Sequence, residues 1–130
     1  MYVGFLTTGS TVGATAPYVF STKYITNTNI AYNTSTGVFT FREPGWYEVS
    51  FDTSGSAAGN ITPTMYINNV ASNHILGTAT TTAGNDVNIS FDSVLYLQPS
   101  MPGAYATMQI VNAGVEETVT TANIVIKRIG

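Results

Sequence analysis

Hydrophobic and polar residues alternate with a period of two along several segments of the chain, and this spacing is typical of β-strands. The clearest case is Trp46–Thr53, whose two faces carry Tyr47, Val49 and Phe51 on one side and Trp46, Glu48 and Ser50 on the other. The segment Val87–Leu97 alternates in the same way. No segment shows the helical period of 3.6 over several turns, so the pattern predicts an all-β chain.

Gly, Pro and Asn separate the predicted strands and mark the turns between them. The predicted strands are Tyr2–Thr8, Tyr18–Ile25, Asn29–Tyr32, Val38–Phe41, Trp46–Thr53, Ile61–Val70, Val87–Leu97, Tyr105–Val111 and Ala122–Ile129, with a further one over Ala71–Ala79. Turns are predicted at Asn33–Gly37, Glu43–Gly45 and Pro99–Gly103, and Ser54–Asn60 and Asn112–Glu117 read as loops. This arrangement fits a sandwich or jelly roll of two antiparallel sheets.

Two of the predicted strands are apolar on both faces at one end. Val94 and Tyr96 continue the otherwise polar face of Val87–Leu97, and Ala122–Ile129 has aliphatic residues on both faces. A two-layer domain leaves one face of each sheet to solvent, and a strand that is apolar on both faces is usually covered on both. We therefore expect another subunit to cover the second face.

The composition limits the classes of partner. The 130 residues predict a single domain over 1–130. Only 8% of the residues are charged, the net charge is −3, and the polar surface comes from 21 Thr and 11 Asn. With four Lys and Arg there is no basic surface for nucleic acid, and no apolar run is long enough to span a membrane. The chain has no cysteine.

The segment Asn29–Phe51 carries a family signature. Its pattern Tyr32-Asn33…Gly37-x-Phe39-Thr40…Pro44-Gly45-x-Tyr47-x-x-x-Phe51 resembles the globular head of the C1q family, within the C1q/TNF-like jelly rolls. The C-terminal segment Ala122–Gly130 is similar to the terminal strand of bacterial and phage members. The resemblance implies ten strands in two five-stranded sheets and a tight homotrimer.

The resemblance also implies roles for individual residues. The expected core residues are Phe39, Tyr47, Val49 and Phe51. The expected residues of the trimer interface are Trp46, Glu48, Ser50, Val94, Tyr96, Ile124 and Ile126. Trp46 has an alternative interpretation as an exposed platform for stacking on a sugar, and Tyr18 and Tyr105 share it. Lys127 and Arg128 are expected to pair with Glu48 or with a neighbouring subunit.

Several features of the C1q family are missing. No cysteines, collagen triplets or axial cluster of Asp residues are present, so we expect no metal and no other cofactor. The lack of a collagen stem favours a microbial or viral member. Among such members we expect a bacteriophage virion component. The first residues do not form a signal peptide, so we expect release from a cell by lysis, by a dedicated secretion route or after loss of an upstream segment. The alternative localisation is a bacterial cell or spore surface.

The sequence offers little for catalysis. His74 is the only histidine, and Ser72 nearby lacks a nucleophile elbow or an oxyanion-hole motif. Glu116 and Glu117 are adjacent, so in a strand they would point to opposite faces, and both are expected to be solvated loop charges. Asp86 and Asp92 lie too far apart to share a metal within one chain. The prediction is a protein that is not an enzyme.

The functional hypothesis is therefore assembly combined with recognition. Apical loops over Ser54–Asn60, Thr78–Asn85 and Asn112–Thr118 are expected to contact a host surface glycan or another virion protein. The candidate contact residues in these loops are Asn60, Thr81, Asn85 and Glu116. The alternative is a trimeric binding module on a bacterial surface or spore coat, and a jelly-roll hydrolase that depends on His74 is a third hypothesis.

Overall fold

The computed structural model describes residues 1–26, 29–75, 79–80 and 85–130, and these residues form strands, turns and loops without a helix. The strands in chain order are β1 (Tyr2–Leu6), β2 (Thr11–Val12), β3 (Ser21–Ile25), β4 (Ile30–Tyr32), β5 (Phe39–Phe41), β6 (Gly45–Ala57), β7 (Asn60–Ile61), β8 (Pro63–Ile67), β9 (Val70–Ile75), β10 (Ala79–Thr80), β11 (Val87–Leu97), β12 (Ala106–Asn112) and β13 (Glu117–Arg128). Within the described ranges, no helix is long and apolar enough to cross a membrane.

Two antiparallel sheets form the sandwich, which confirms the predicted fold class. A six-stranded sheet has the order β11-β6-β13-β1-β3, with β2 also paired to β13. A five-stranded sheet has the order β4-β5-β12-β8-β9, and β10 pairs with β7 in a separate two-stranded piece. The resemblance implied two sheets of five strands. The additional strands are β2, whose Val12 pairs with Glu117, and the separate pair β7 and β10.

Aromatic side chains fill the space between the sheets. All four residues predicted for the core, Phe39, Tyr47, Val49 and Phe51, are at most 2% exposed. Phe39 contacts Tyr2 edge to face with ring centroids 4.9 Å apart, and Tyr47 contacts Phe41 at 4.7 Å. Edge-to-face pairs add a favourable electrostatic term to the burial of apolar surface. The core therefore joins β1 and β6 of one sheet to β5 of the other.

The predicted turn at Asn33–Gly37 and the turn between β8 and β9 both contain residues that adopt positive φ. Gly37 has a φ of 73°, and its N–H donates to the Asn33 carbonyl at 2.9 Å, while the Asn33 side chain accepts from the Ser35 N–H at 2.8 Å. Asn68 and Asn69 both adopt positive φ in the tight turn between β8 and β9. Asn tolerates this backbone region better than most residues, so both turns are encoded locally.

The predicted boundaries are wrong at three strands, and the predicted single strand Ile61–Val70 is divided among β7, β8 and the start of β9. Strand β6 continues to Ala57, four residues past Thr53, and β13 begins at Glu117 rather than at Ala122. Strand β3 begins at Ser21, three residues after Tyr18. The small residues after Thr53 have loop-like propensity, but their backbone pairs with both β11 and β13. Pairing on both sides outweighs that propensity.

Candidate assembly face and apical loops

The exposed side of the six-stranded sheet, called here the assembly face, carries five of the seven predicted interface residues: Trp46, Glu48, Ser50, Val94 and Tyr96. Burial alternates along all 13 residues of β6, with the even-numbered residues pointing outward. Strand β11 lies beside β6 in a register that pairs Tyr96 with Trp46 and Val94 with Glu48. The strand register therefore brings these side chains together on one surface.

Trp46, Val94 and Tyr96 form an exposed apolar cluster at one end of this face. Their side chains are 49%, 48% and 49% exposed. The rings of Trp46 and Tyr96 contact edge to face with centroids 5.3 Å apart. The backbone of Trp46 is fixed, because its N–H donates to the Gly130 carbonyl at 3.0 Å and its carbonyl accepts from Ile129 at 2.8 Å. The cluster is thus an apolar surface on a fixed backbone, and its transfer out of water would be favourable.

The prediction that Ile124 and Ile126 belong to the interface is wrong. Both side chains are fully buried between the two sheets. Strand β13 pairs Ile124 with Phe51 and Ile126 with Val49, and directly opposed residues point to the same side of a sheet. The outward face of β13 instead carries Asn123, Val125 and Lys127. The alternation along β13 is evident in the sequence, but the prediction assigns the inward face of this strand to the interface.

Ion pairs lie at the same end of the sheet as the apolar cluster. Lys127 Nζ is 3.0 Å from Glu48 Oε1, one of the two alternative partners expected from the sequence. Arg128 Nη1 is 2.5 Å from Glu43 Oε2, and a second guanidinium nitrogen donates to the Pro44 carbonyl at 3.3 Å. These contacts satisfy the two C-terminal cations within one chain and tie the end of β13 to the corner before β6.

The opposite, apical end of the sandwich carries the predicted recognition loops. Asn60, Asn85 and Glu116 are exposed there, and Thr81 lies outside the described residues. The loop after β12 is held to the segment before β8, because Ala113 donates to the Thr62 carbonyl and Val115 to the Asn60 carbonyl, both at 2.9 Å. Asn60 and Glu116 thus lie on segments whose backbones are hydrogen-bonded to each other.

Asn112 and Glu117, at the two ends of this loop, are buried, whereas the sequence suggested polar loop positions for both. The Asn112 amide donates to the Val115 carbonyl at 2.6 Å and accepts from Gly114 at 3.0 Å. The Glu117 carboxylate accepts hydrogen bonds of 2.6 Å from both Tyr18 Oη and Thr53 Oγ1. Burial, together with the charge of Glu117, raises the pKa of Tyr18. The prediction of a solvated Glu117 is wrong, because two hydroxyl donors replace water at its carboxylate.

The comparison with known proteins decides the family. The family model for the C1q domain matches residues 2–114. The chain belongs to the C1q domain family. This confirms the resemblance carried by the segment Asn29–Phe51. No curated protein sequence matches the chain significantly.

Solved structures show the same fold at low sequence identity. The globular domain of the zebrafish complement 1qA protein has a TM-score of 0.71 at 15% identity, with 99% of this chain and 96% of that chain covered. Murine APRIL has a TM-score of 0.66 at 7% identity, with 97% and 98% covered. The phage PRD1 vertex protein P5 has a TM-score of 0.64 at 12% identity, with 99% of this chain and 72% of that chain covered.

The remaining predicted sites of this C1q domain have the following positions. Tyr18 is fully buried and contacts Phe51, so it cannot stack on a glycan, whereas Tyr105 is 57% exposed. Asp86 accepts a hydrogen bond from Thr120, and Asp92 accepts one from Ser50. Ser72 and His74 belong to β9, and their side chains lie outside the described residues. Among the described residues, no three His, Asp or Glu side chains lie close enough together to hold a metal ion.

Proposed function

We propose that this C1q domain is a homotrimeric protein without enzymatic activity that assembles through the assembly face. The observation that carries the proposal is the exposed cluster of Trp46, Val94 and Tyr96 on that face. C1q and TNF-like domains are generally recognition modules and typically form homotrimers. A ring of three copies buries the cluster three times, and aromatic side chains are the usual energetic centres of interfaces.

We further propose that the trimer is a structural component of a bacteriophage virion, as a fibre head, a receptor-binding tip or a capsid decoration. The likeness to the phage PRD1 vertex protein P5 supports this role. The surface also supports it, because 8% charged residues allow identical copies to pack closely without repulsion. The alternative is a trimeric binding module on a bacterial cell or spore surface, and a collagen repeat encoded upstream would favour it.

The partner in this proposal is a host surface glycan or another virion protein, bound at the apical loops. Asn60, Asn85 and Glu116 offer exposed amide and carboxylate groups that suit hydroxyl-rich ligands. Backbone hydrogen bonds between the loop after β12 and the segment Asn60–Thr62 fix the positions of Asn60 and Glu116, so little conformational entropy is lost there on binding. Three equivalent sites per trimer strengthen a weak individual contact through avidity.

A variant with Asn60, Asn85 and Glu116 all replaced by alanine tests the apical site on a glycan array and on intact host cells. We expect its binding to fall by about tenfold or more, because weak contacts are lost at three sites at once. The exposed residues Gln98 and Ser100 at the opposite end provide the matched control variant Gln98→Ala/Ser100→Ala. Both variants should keep the melting temperature of the unmodified protein.

The apical assignment would be contradicted if the triple variant bound as well as the unmodified protein. Loss of binding in the Gln98→Ala/Ser100→Ala variant alone would transfer the recognition site to the opposite end of the sandwich.

A further inference from the structure

The assembly face contains two adjacent surface depressions of opposite charge. The first, of about 230 Å³, lies across β11, β6 and β13 and is lined by Asp52 and Asp92. The second, of about 420 Å³, lies across β13, β1 and β3 and is lined by Phe5 and Lys23. Asn123 on the central strand borders both. One half of the face is therefore acidic and the other half basic.

Among residues 1–26, 29–75, 79–80 and 85–130, neither half has an oppositely charged partner. Asp92 accepts a hydrogen bond from Ser50 and Asp52 accepts one from Asn123, each at 3.2 Å, and both donors are neutral. Within the part of the chain that the structure describes, the two ion pairs are those of Lys127 and Arg128. Lys23, one of only four Lys and Arg in the chain, takes part in neither.

The distance across the sheet explains why these charges stay apart. Asp92 is on β11 and Lys23 is on β3, at opposite edges of the order β11-β6-β13-β1-β3. Neighbouring strands lie about 4.8 Å apart, so four steps amount to roughly 19 Å. A lysine side chain cannot cross that distance. Any ion pair between the two halves must join two different chains.

The strand register places the two charges at the same height along the strands. Asp92 is opposite Ser50, Ser50 is opposite Val125, Val125 is opposite Val3, and Val3 is opposite Tyr24, the neighbour of Lys23. Rotation about an axis leaves height along that axis unchanged. In a ring whose axis follows the strands, the acidic half of one copy would therefore meet the basic half of the next copy at the correct level.

We propose that each contact of the ring pairs the acidic depression of one protomer with the Lys23 depression of the next, with Asp92 and Lys23 as the central ion pair. This inference rests on the homotrimer of the proposed function. It specifies which half of one protomer contacts the next protomer, and at what height along the strands. A head-to-tail contact between two different halves of one surface is what a closed cyclic ring requires. Complementary charge fixes the register and rejects other alignments.

A second copy of this chain is the occupant that the observations favour. The apolar cluster of Trp46, Val94 and Tyr96 lies on the same face as the acidic half, so one contact covers both. Phe5 and Tyr24 flank Lys23 on the basic half and offer apolar surface to the neighbouring copy. A small anion or cation would satisfy one half only and would leave this apolar surface in water.

Charge reversal tests the pairing by sedimentation equilibrium. We expect Lys23→Glu and Asp92→Lys each to raise the dissociation constant of the trimer by about tenfold or more, because the new contact sets like charges against each other three times. The double variant Lys23→Glu/Asp92→Lys should return to within about threefold of the unmodified protein, because the ion pair is restored in reverse. Thr34→Lys, in the exposed turn between β4 and β5 of the other sheet, is the matched control and should leave the dissociation constant of the trimer unchanged.

A mixing experiment provides the second measurement. In a ring containing two copies of the Lys23→Glu variant and one of the Asp92→Lys variant, two of the three contacts are complementary. An equimolar mixture should therefore form trimers at concentrations where each variant alone is monomeric.

The outcomes separate this inference from the proposed function. If the unmodified protein is a trimer and neither single reversal weakens it, or if the double variant is no better than the singles, the pairing is wrong and the trimer stands. If the unmodified protein is a monomer, both proposals fall. Circular dichroism of each variant should show the spectrum of the unmodified protein, because the substitutions are at exposed positions.

Discussion

Replacing Glu117 by alanine is expected to lower the free energy of unfolding by about 2–4 kcal/mol, because two buried hydroxyl donors lose their acceptor at once. Tyr18 Oη and Thr53 Oγ1 each donate to this carboxylate at 2.6 Å, and all three side chains are at most 1% exposed. The midpoint of urea unfolding at a fixed protomer concentration measures the change. A fall of about 10 °C in melting temperature should accompany it.

The neighbouring Glu116 provides a matched control, since it is exposed and carries the same charge. Glu116→Ala should stay within about 0.5 kcal/mol of the unmodified protein. Glu117→Gln keeps one acceptor oxygen, so its free energy of unfolding should lie between those of the two alanine variants. Equal stability of Glu116→Ala and Glu117→Ala would show that the buried carboxylate does not hold the loop after β12 to the sandwich.

The double substitution Trp46→Ser/Tyr96→Ser is expected to convert the trimer into folded monomers. Trp and Tyr side chains that become fully buried in an interface often contribute about 2 kcal/mol or more each, and the ring repeats the contact three times. Both side chains are half exposed in the single chain, so their loss should leave the core intact. Sedimentation velocity at micromolar protomer concentration measures the mass, and near-ultraviolet circular dichroism reports on core packing.

Tyr105 supplies the control for this prediction. Its side chain is 57% exposed, and it directly precedes β12, a strand of the five-stranded sheet and not of the sheet that carries the assembly face. Tyr105→Ser should leave the trimer unchanged. If the Trp46→Ser/Tyr96→Ser variant remained trimeric, the exposed apolar cluster would not be the assembly contact and the proposed role of this face would be wrong.

The strand pattern could be predicted where burial on one face determined the sequence. The segment Val87–Leu97 was delimited correctly, and Tyr47, Val49 and Phe51 were placed on the inner side of β6. In each case apolar residues recur at every second position, so periodicity alone identifies the strand and its buried face. The turn at Gly37 could also be predicted from the sequence, because it depends on local backbone preference.

Other features depend on which strands are neighbours, and a single sequence does not contain that information. The alternation of Ile124 and Ile126 is evident, but only pairing with Phe51 and Val49 shows that they face inward. Gly55 looks like a loop residue, yet an added Cβ would lie 2.5 Å from the Thr118 carbonyl oxygen and 2.6 Å from Glu117 Oε2. The small side chain is required by close packing inside the sheet.

Buried polar residues were the hardest to predict. Glu117 follows Glu116 in a polar stretch, and nothing in that stretch distinguishes the buried carboxylate from the exposed one. Its donors Tyr18 and Thr53 are 99 and 64 residues away in sequence. Burial of a charged group depends on such distant donors, so it becomes visible only in the folded chain.

The central claim is that the assembly face closes a ring of three chains, and the solution mass of the unmodified protein tests it most directly. Size exclusion coupled to light scattering should give a mass near three times 13.8 kDa. A mass of 13.8 kDa across the accessible concentration range would contradict the claim, and would mean that Trp46, Val94 and Tyr96 stay exposed or meet a different partner.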